Sequence, residues 1–349
     1  MQKSSPVNKI LLLFVIFIMW ALLAFNTNTV DRMNYEMFYN YSQQNVRYPG
    51  IEIGFYYFMH ICAKIGLSFQ SFLIVYSSIG TFLITKSVIQ YVRNGSSIIL
   101  ILFIFFPYLH IIAALRNYMA FAIIIWGIQY LTIKANKNLI KYLICVIIAS
   151  SFHVIALCYL IFIMCFLNLK RIKTLSFFFA ILGFLLLLSS STFIPFLIRI
   201  IPKLQVYLTL GLNGTRSSTK LFLCIYFISK VVFCLYCDDE NDSRECDSLI
   251  SVLRKIQFLS LMFFPVCIFD MDFMRLEYNI FVLMSIYVYS YIRGKIEEDG
   301  FRKEFRLLTI AFVYYYIIAG YILLYLFSYE SIVKTIWQNN LLFQIFLGD

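Results

Sequence analysis

Arg116 opens the apolar run ALRNYMAFAIIIW, and His153 interrupts another apolar run at SSFHVIA. Asp31, Glu36, Arg47 and Glu52 crowd the polar stretch between the first two apolar runs. Further along, FDMDFMRLEYN carries Asp270, Asp272, Arg275 and Glu277. Ionisable groups beside long apolar runs are costly to place, so they tend to be paired or functional. Arginine presents a planar fork of donors that matches phosphate oxygens. An imidazole or a carboxylate can take a proton from a hydroxyl near neutral pH. Arginines, one histidine and several carboxylates together suit a phosphate-bearing substrate and a base for a hydroxyl. Plainer roles exist for the same residues. Arg116 could anchor lipid headgroups, His153 could bond a carbonyl at a hairpin tip, and Asp31 could cap a helix starting at Arg32.

The elements that position these groups follow from composition. The 349 residues are 62% hydrophobic and only 13% charged, far from the balance of a soluble domain. Apolar runs near the ~20 residues needed to span hydrocarbon recur from end to end. The sequence therefore predicts an all-α polytopic membrane protein forming a single integral domain over 1–349. Spans are expected at about 10–25, 69–92, 98–113, 117–133, 139–152, 154–169, 174–191, 219–236, 249–269, 276–292 and 307–327. The first run lacks a small-residue cleavage site and reads as a retained span. The net charge of +11 fits loops facing anionic lipid, and no nucleic-acid partner is expected. Cys234, Cys237 and Cys246 cluster near CLYCDDENDSREC without a fourth ligand or a nearby histidine, so neither metal nor cofactor is expected.

Residues 51–66 decide the topology. Glu52, Tyr56, His60 and Lys64 fall four apart, on one face of a helix otherwise built from Ile, Phe, Met, Cys and Ala. Such a helix either crosses the membrane or lies on it. If it lies on the outer surface, seventeen lysines and arginines fall on inner loops and ten outside. If it crosses, the bias reverses. The positive-inside rule selects the surface helix. The expected arrangement has about eleven spans, the N-terminus cytoplasmic and the C-terminus external. An outer loop covers 26–68 and an outer C-terminal segment covers 328–349. The apolar run around SSFH is split there into a hairpin, because basic residues flank both of its ends.

In this order the residues resemble a known family. Asp31, Tyr35 and Tyr39 form Asp-x3-Tyr-x3-Tyr, and Glu52, Gly54 and Phe55 form Glu-x-Gly-Phe. Arg116 with Ala120, Phe152-His153 with Ala156, and Arg275 with Tyr278 complete the series. The pattern is similar to the EpsG-like branch of the Wzy-type polysaccharide polymerases, over roughly residues 25–290. The resemblance implies a glycosyltransferase of a bacterial plasma membrane that links polyprenyl-pyrophosphate oligosaccharides on the outer face. It implies Asp31, Glu52 and His153 as candidate catalytic groups. Arg116, Arg275, Arg47, Tyr35, Tyr39 and Tyr278 are then candidates for holding pyrophosphate and glycan. Membrane lipid, a chain-length regulator and a flippase of the same pathway are the implied partners. The surface helix after a loop aspartate also resembles GT-C glycosyltransferases, at the level of fold alone. A single-sugar transferase using a polyprenyl-phosphate donor is the nearest alternative. A flippase or transporter of lipid-linked sugars fits less well, because the charges gather at one face rather than mid-membrane. An acyltransferase would leave the outer arginines without a purpose.

Overall fold

The computed structural model describes residues 6–92, 95–188, 199, 217–236, 248–269, 273–299 and 329–347. Among them every regular element is helical. The chain runs through α1 (Pro6–Ala24), α2 (Arg32–Gln43), α3 (Ile53–Lys64), α4 (Phe69–Tyr91), α5 (Ser96–Phe103), α6 (Leu109–Ala113), α7 (Leu115–Gly127), α8 (Asn136–Phe152) and α9 (Leu169–Leu188). Helices Ser217–Tyr236, Ser248–Ser260, Phe264–Phe269, Met274–Asp299, Lys334–Gln338 and Leu341–Leu347 follow. Phe69–Tyr91, Ser96–Ala113 and Leu249–Cys267 are long and apolar enough to cross a membrane, and Asn8–Ala24, Val154–Phe166 and Leu223–Leu235 are shorter apolar helices. The protein is an all-α membrane protein. The span expected at 307–327, the acidic loop 238–247, Asp270 and Asp272 lie outside the described residues.

The chain divides into two compact units. The first comprises residues 1–130, 135–160 and 281–349. Here α1 packs on α4 and α5, α4 on α7, and α7 on α8. Tyr39, Phe55, Phe58, Phe69, Phe72, Tyr76 and Phe152 form a continuous aromatic cluster that ties α2 and α3 to α4 and α8. The C-terminal segment is fastened to the end of α1. Asn340 Nδ2 donates to the Ala21 carbonyl at 2.9 Å, and Leu341 N to Phe25 O at 3.0 Å. The second unit comprises residues 131–134 and 161–280. Its α9 packs on Ser248–Ser260 and Phe264–Phe269. Within it Lys230 pairs with Glu277, which also accepts from the Tyr226 hydroxyl at 3.2 Å.

Residues 31–67 form a helical hairpin of α2 and α3, closed by backbone chemistry that the sequence encodes locally. Gly66 adopts φ +82° after α3, with Gly66 N bonded to Ala63 O and Leu67 N to Cys62 O. That pair of bonds satisfies the last carbonyls of the helix and needs a residue that tolerates the left-handed region. α2 ends the same way on Asn45, φ 60°. The 12 residues of α3 reach only about 18 Å, short of a ~30 Å hydrocarbon core. Its buried face is Phe55, Met59 and Cys62. From its polar stripe His60 reaches α2, with Nδ1 2.9 Å from Ser42 O. The face left exposed carries Ile53, Tyr57, Ile61 and Ile65.

The run around SSFH does break. α8 stops at Phe152, and His153 is extended at φ −154°, ψ 118°. The Tyr142 hydroxyl then donates to Tyr159 O at 2.8 Å. A straight helix would separate those residues by about 25 Å, so the chain folds back on itself. The returning segment Val154–Phe166 is a 3₁₀ helix. At about 2.0 Å per residue its 13 residues extend about 26 Å, against about 20 Å for an α-helix.

Candidate functional site

Glu52 is the centre of the arrangement. It sits at the N-cap position of α3 in extended backbone (φ −65°, ψ 146°), yet its side chain caps nothing. The carboxylate instead reaches across to α7 and α8. Oε2 accepts from Arg116 Nη1 at 2.7 Å. Oε1 lies 3.1 Å from His153 Nδ1 and accepts from the Val154 backbone N–H at 3.2 Å. Arg116 Nη1 also lies 3.5 Å from Gly50 O. One carboxylate thus joins the loop before α3, the first turn of α7 and the break after α8.

Each element is set locally. α7 starts afresh at Leu115 because Ala114, at φ −110° and ψ 86°, interrupts the helical ladder after α6. The Tyr76 hydroxyl donates to Leu115 O at 2.9 Å and fixes that first turn. Gly54 lets α3 come close to α8: a Cβ there would lie 2.2 Å from Ser151 Oγ. His153 takes its place because it is the residue at which α8 ends.

The electrostatics follow from the same contacts. Burial by itself would raise the Glu52 carboxyl. The hydrogen bonds from His153 and Arg116, with the charge of the guanidinium, outweigh it and hold the pKa at about 2, below the ordinary 4.5. Glu52 is therefore an anion that only accepts. His153 presents Nδ1–H to it, and in the neutral imidazole the lone pair then lies on Nε2. The Arg116 Nε–H is buried and has no hydrogen-bond partner among the described residues. The side chains of Arg116, Glu52 and His153 keep 27%, 14% and 12% of their surface exposed, so the cluster is recessed but reachable.

The other expected site residues are placed as follows. Tyr35 is buried on α2, packs edge-on against Phe55 and is a hydrogen-bonding neighbour of Arg116. Asp31 lies one turn earlier on α2, half-buried, and its carboxylate does not cap the helix. Tyr39 is fully buried, with its hydroxyl donated to Leu67 O at 2.7 Å. Burial pushes its phenol up to about 12, so it remains a donor. Arg47 is exposed in the loop between α2 and α3. Arg275 and Tyr278 belong to the second unit. They lie half-buried on one face of the helix Met274–Asp299, while Met274, Leu276 and Glu277 are buried.

Two participants escape a reading of residue types. The Val154 N–H is backbone, and nothing in its side chain announces it. Gly54 belongs to the Glu-x-Gly-Phe pattern, but its purpose is a contact with α8, nearly a hundred residues away in the chain. The sequence profile of the EpsG family matches residues 9–346, almost the whole chain. No curated protein and no solved structure matches.

Proposed function

Because the chain belongs to the EpsG family of Wzy-like polysaccharide polymerases, we propose that it transfers a growing glycan from polyprenyl pyrophosphate to a lipid-linked repeat unit. The observation that carries this reading is the ionised Glu52 bridging Arg116 and His153. His153 Nε2 takes the proton from an acceptor sugar hydroxyl, and Glu52 stabilises the imidazolium that results. The hydroxyl oxygen bonds to the anomeric carbon of the donor as the bond from that carbon to the pyrophosphate oxygen breaks. The developing negative charge on the leaving pyrophosphate is met by Arg116, whose guanidinium-bearing side chain stays 27% exposed. Glu52 orients and charges the site rather than acting as its base, since its pKa is held at about 2. Asp31, uncapped and one turn from Tyr35, is the second candidate for the acceptor hydroxyl. Arg275 and Tyr278 are assigned to donor and glycan through the family pattern.

The reaction takes place on the outer face of a bacterial plasma membrane in this reading, with the α2–α3 hairpin at that surface and eleven spans. The attachment of Asn340 and Leu341 to the far end of α1 supports an odd number of crossings. The apolar exposed stripe of α3 supports a helix seated in the lipid surface. Cysteines at Gln44 and Lys137, in a cysteine-free background, test the topology with an impermeant thiol reagent. Gln44→Cys should label from outside and Lys137→Cys should not. The chemistry is tested with purified protein in lipid and a polyprenyl-pyrophosphate repeat unit. Wild type should yield a ladder of polymer, and His153→Gln and Arg116→Lys should lose it. A single sugar added from a polyprenyl-phosphate donor, or a full ladder from both variants, would overturn the reading.

A further inference from the structure

Away from the Glu52 cluster, α4 presents a second unusual surface. Ser78, Thr81, Phe82, Thr85, Lys86, Ile89 and Gln90 recur at three- and four-residue steps, so they share one face of the helix. With Ile16 and Trp20 of α1 they line an open groove of about 600 Å³. That volume is in the range of small-molecule sites, about 300–1,000 Å³. The lining is apolar for most of its length, and its polar groups are unevenly spent. Trp20 Nε1 donates to Ser78 Oγ at 2.9 Å, and Thr81 shares a hydrogen bond with Tyr118. Thr85 is 6% exposed, and its Oγ1 has no hydrogen-bond partner among the described residues.

Lys86 gives the groove a sign. It lies within the span Phe69–Tyr91, five residues from its end. Its ammonium rests 4.6 Å from the Trp126 ring centroid and 5.4 Å from that of Phe82. These rings attract a cation without neutralising it. Among the described residues no carboxylate pairs with Lys86, unlike Lys230 in the second unit. An unpaired cation at membrane depth, beside a free hydroxyl and the Gln90 amide, calls for an anion attached to an apolar chain. We infer that the α1–α4 groove binds an anionic glycerophospholipid. The phosphate sits at Lys86 with Thr85 and Gln90 beside it, and an acyl chain lies along Phe82, Trp20 and Ile16.

The position on α4 argues for a membrane lipid rather than the carrier at the Glu52 cluster. Phe69, at the start of α4, packs on Tyr39 of the hairpin. Lys86 is 17 residues further, about 26 Å along the helix, toward the opposite leaflet. The inference therefore does not depend on the proposed reaction. Native mass spectrometry of the purified protein with phosphatidylglycerol, phosphatidylcholine or undecaprenyl phosphate tests it. One phosphatidylglycerol should be retained by wild type and by Lys86→Arg. Its retention should fall at least about tenfold in Lys86→Gln, a loss in line with one unpaired charge contact. Phosphatidylcholine should not be retained by any of them. Equal retention of both phospholipids, no effect of Lys86→Gln, or a preference for undecaprenyl phosphate that Lys86→Gln abolishes would each overturn the inference.

Discussion

Two carboxylates, half-buried Glu52 and buried Glu277, each meet a cation, and they are built to different ends. Glu52 has both oxygens satisfied by three donors from two elements, and its cluster stays partly open. Its partners keep part of their surface open, 27% of the Arg116 side chain and 12% of the His153 side chain. Glu277 is closed off: its side chain and that of Lys230 are 0% and 2% exposed. Its Oε2 meets Lys230 and Tyr226, while Oε1 has no partner among the described residues. A carboxylate that leaves its partners free toward solvent can pass charge and protons to a substrate. One sealed among helices can only hold them together, or cost stability when its partner is lost.

The largest expected separation between the two is in rate. Glu52→Gln should lower polymerisation by about 100- to 10,000-fold, because His153 loses the anion that sets its tautomer. The folded yield should change little. Glu277→Gln should leave most of the rate of the protein that folds. A strong rate loss from Glu277→Gln at normal folded yield would erase the distinction. Next in size is stability. Lys230→Met strands the Glu277 charge and should cost about 3–5 kcal/mol, read as a fall in thermal midpoint in detergent. Lys230→Met with Glu277→Met should recover most of that loss, since removing both charges leaves nothing unpaired.

A smaller effect is expected at Gly54. Its added Cβ in Gly54→Ala meets Ser151 Oγ at 2.2 Å, so α3 must shift from α8, at about 1–3 kcal/mol. The rate should fall with it, because Glu52 is two residues away, and Ser151→Gly in the same chain should restore part of both. The smallest effect is in pH. The Glu52 pKa is depressed from 4.5 to about 2, so its contribution to stability is complete above about 4.5 and is lost as the pH falls toward about 2. The difference in thermal midpoint between wild type and Glu52→Gln should be constant above about 4.5 and close below it. A gap that already closes between pH 5 and 7 would mean that Glu52 is not held by Arg116 and His153.

Much of this protein is local and was legible as such. Apolar runs of span length placed α1, α4, α8 and α9 within a few residues, because a helix in lipid must satisfy its own backbone. Gly66 marked the end of α3 through its own backbone, whereas the break at SSFH was legible only from the basic residues that flank both ends of the run. The candidate residues were also visible as types, since charge beside apolar sequence is expensive wherever it falls. Their grouping was not legible. Glu52, at a helix start, reads as a loop carboxylate or a surface stripe, and nothing in residues 50–66 says that it turns toward Arg116 and His153. Those contacts span 64 and 101 residues of chain, and they exist because α7 and α8 pack as neighbours and Gly54 lets α3 close upon them. Sequence set which groups are costly to bury and where the helices stop; packing decided which of those groups share a proton.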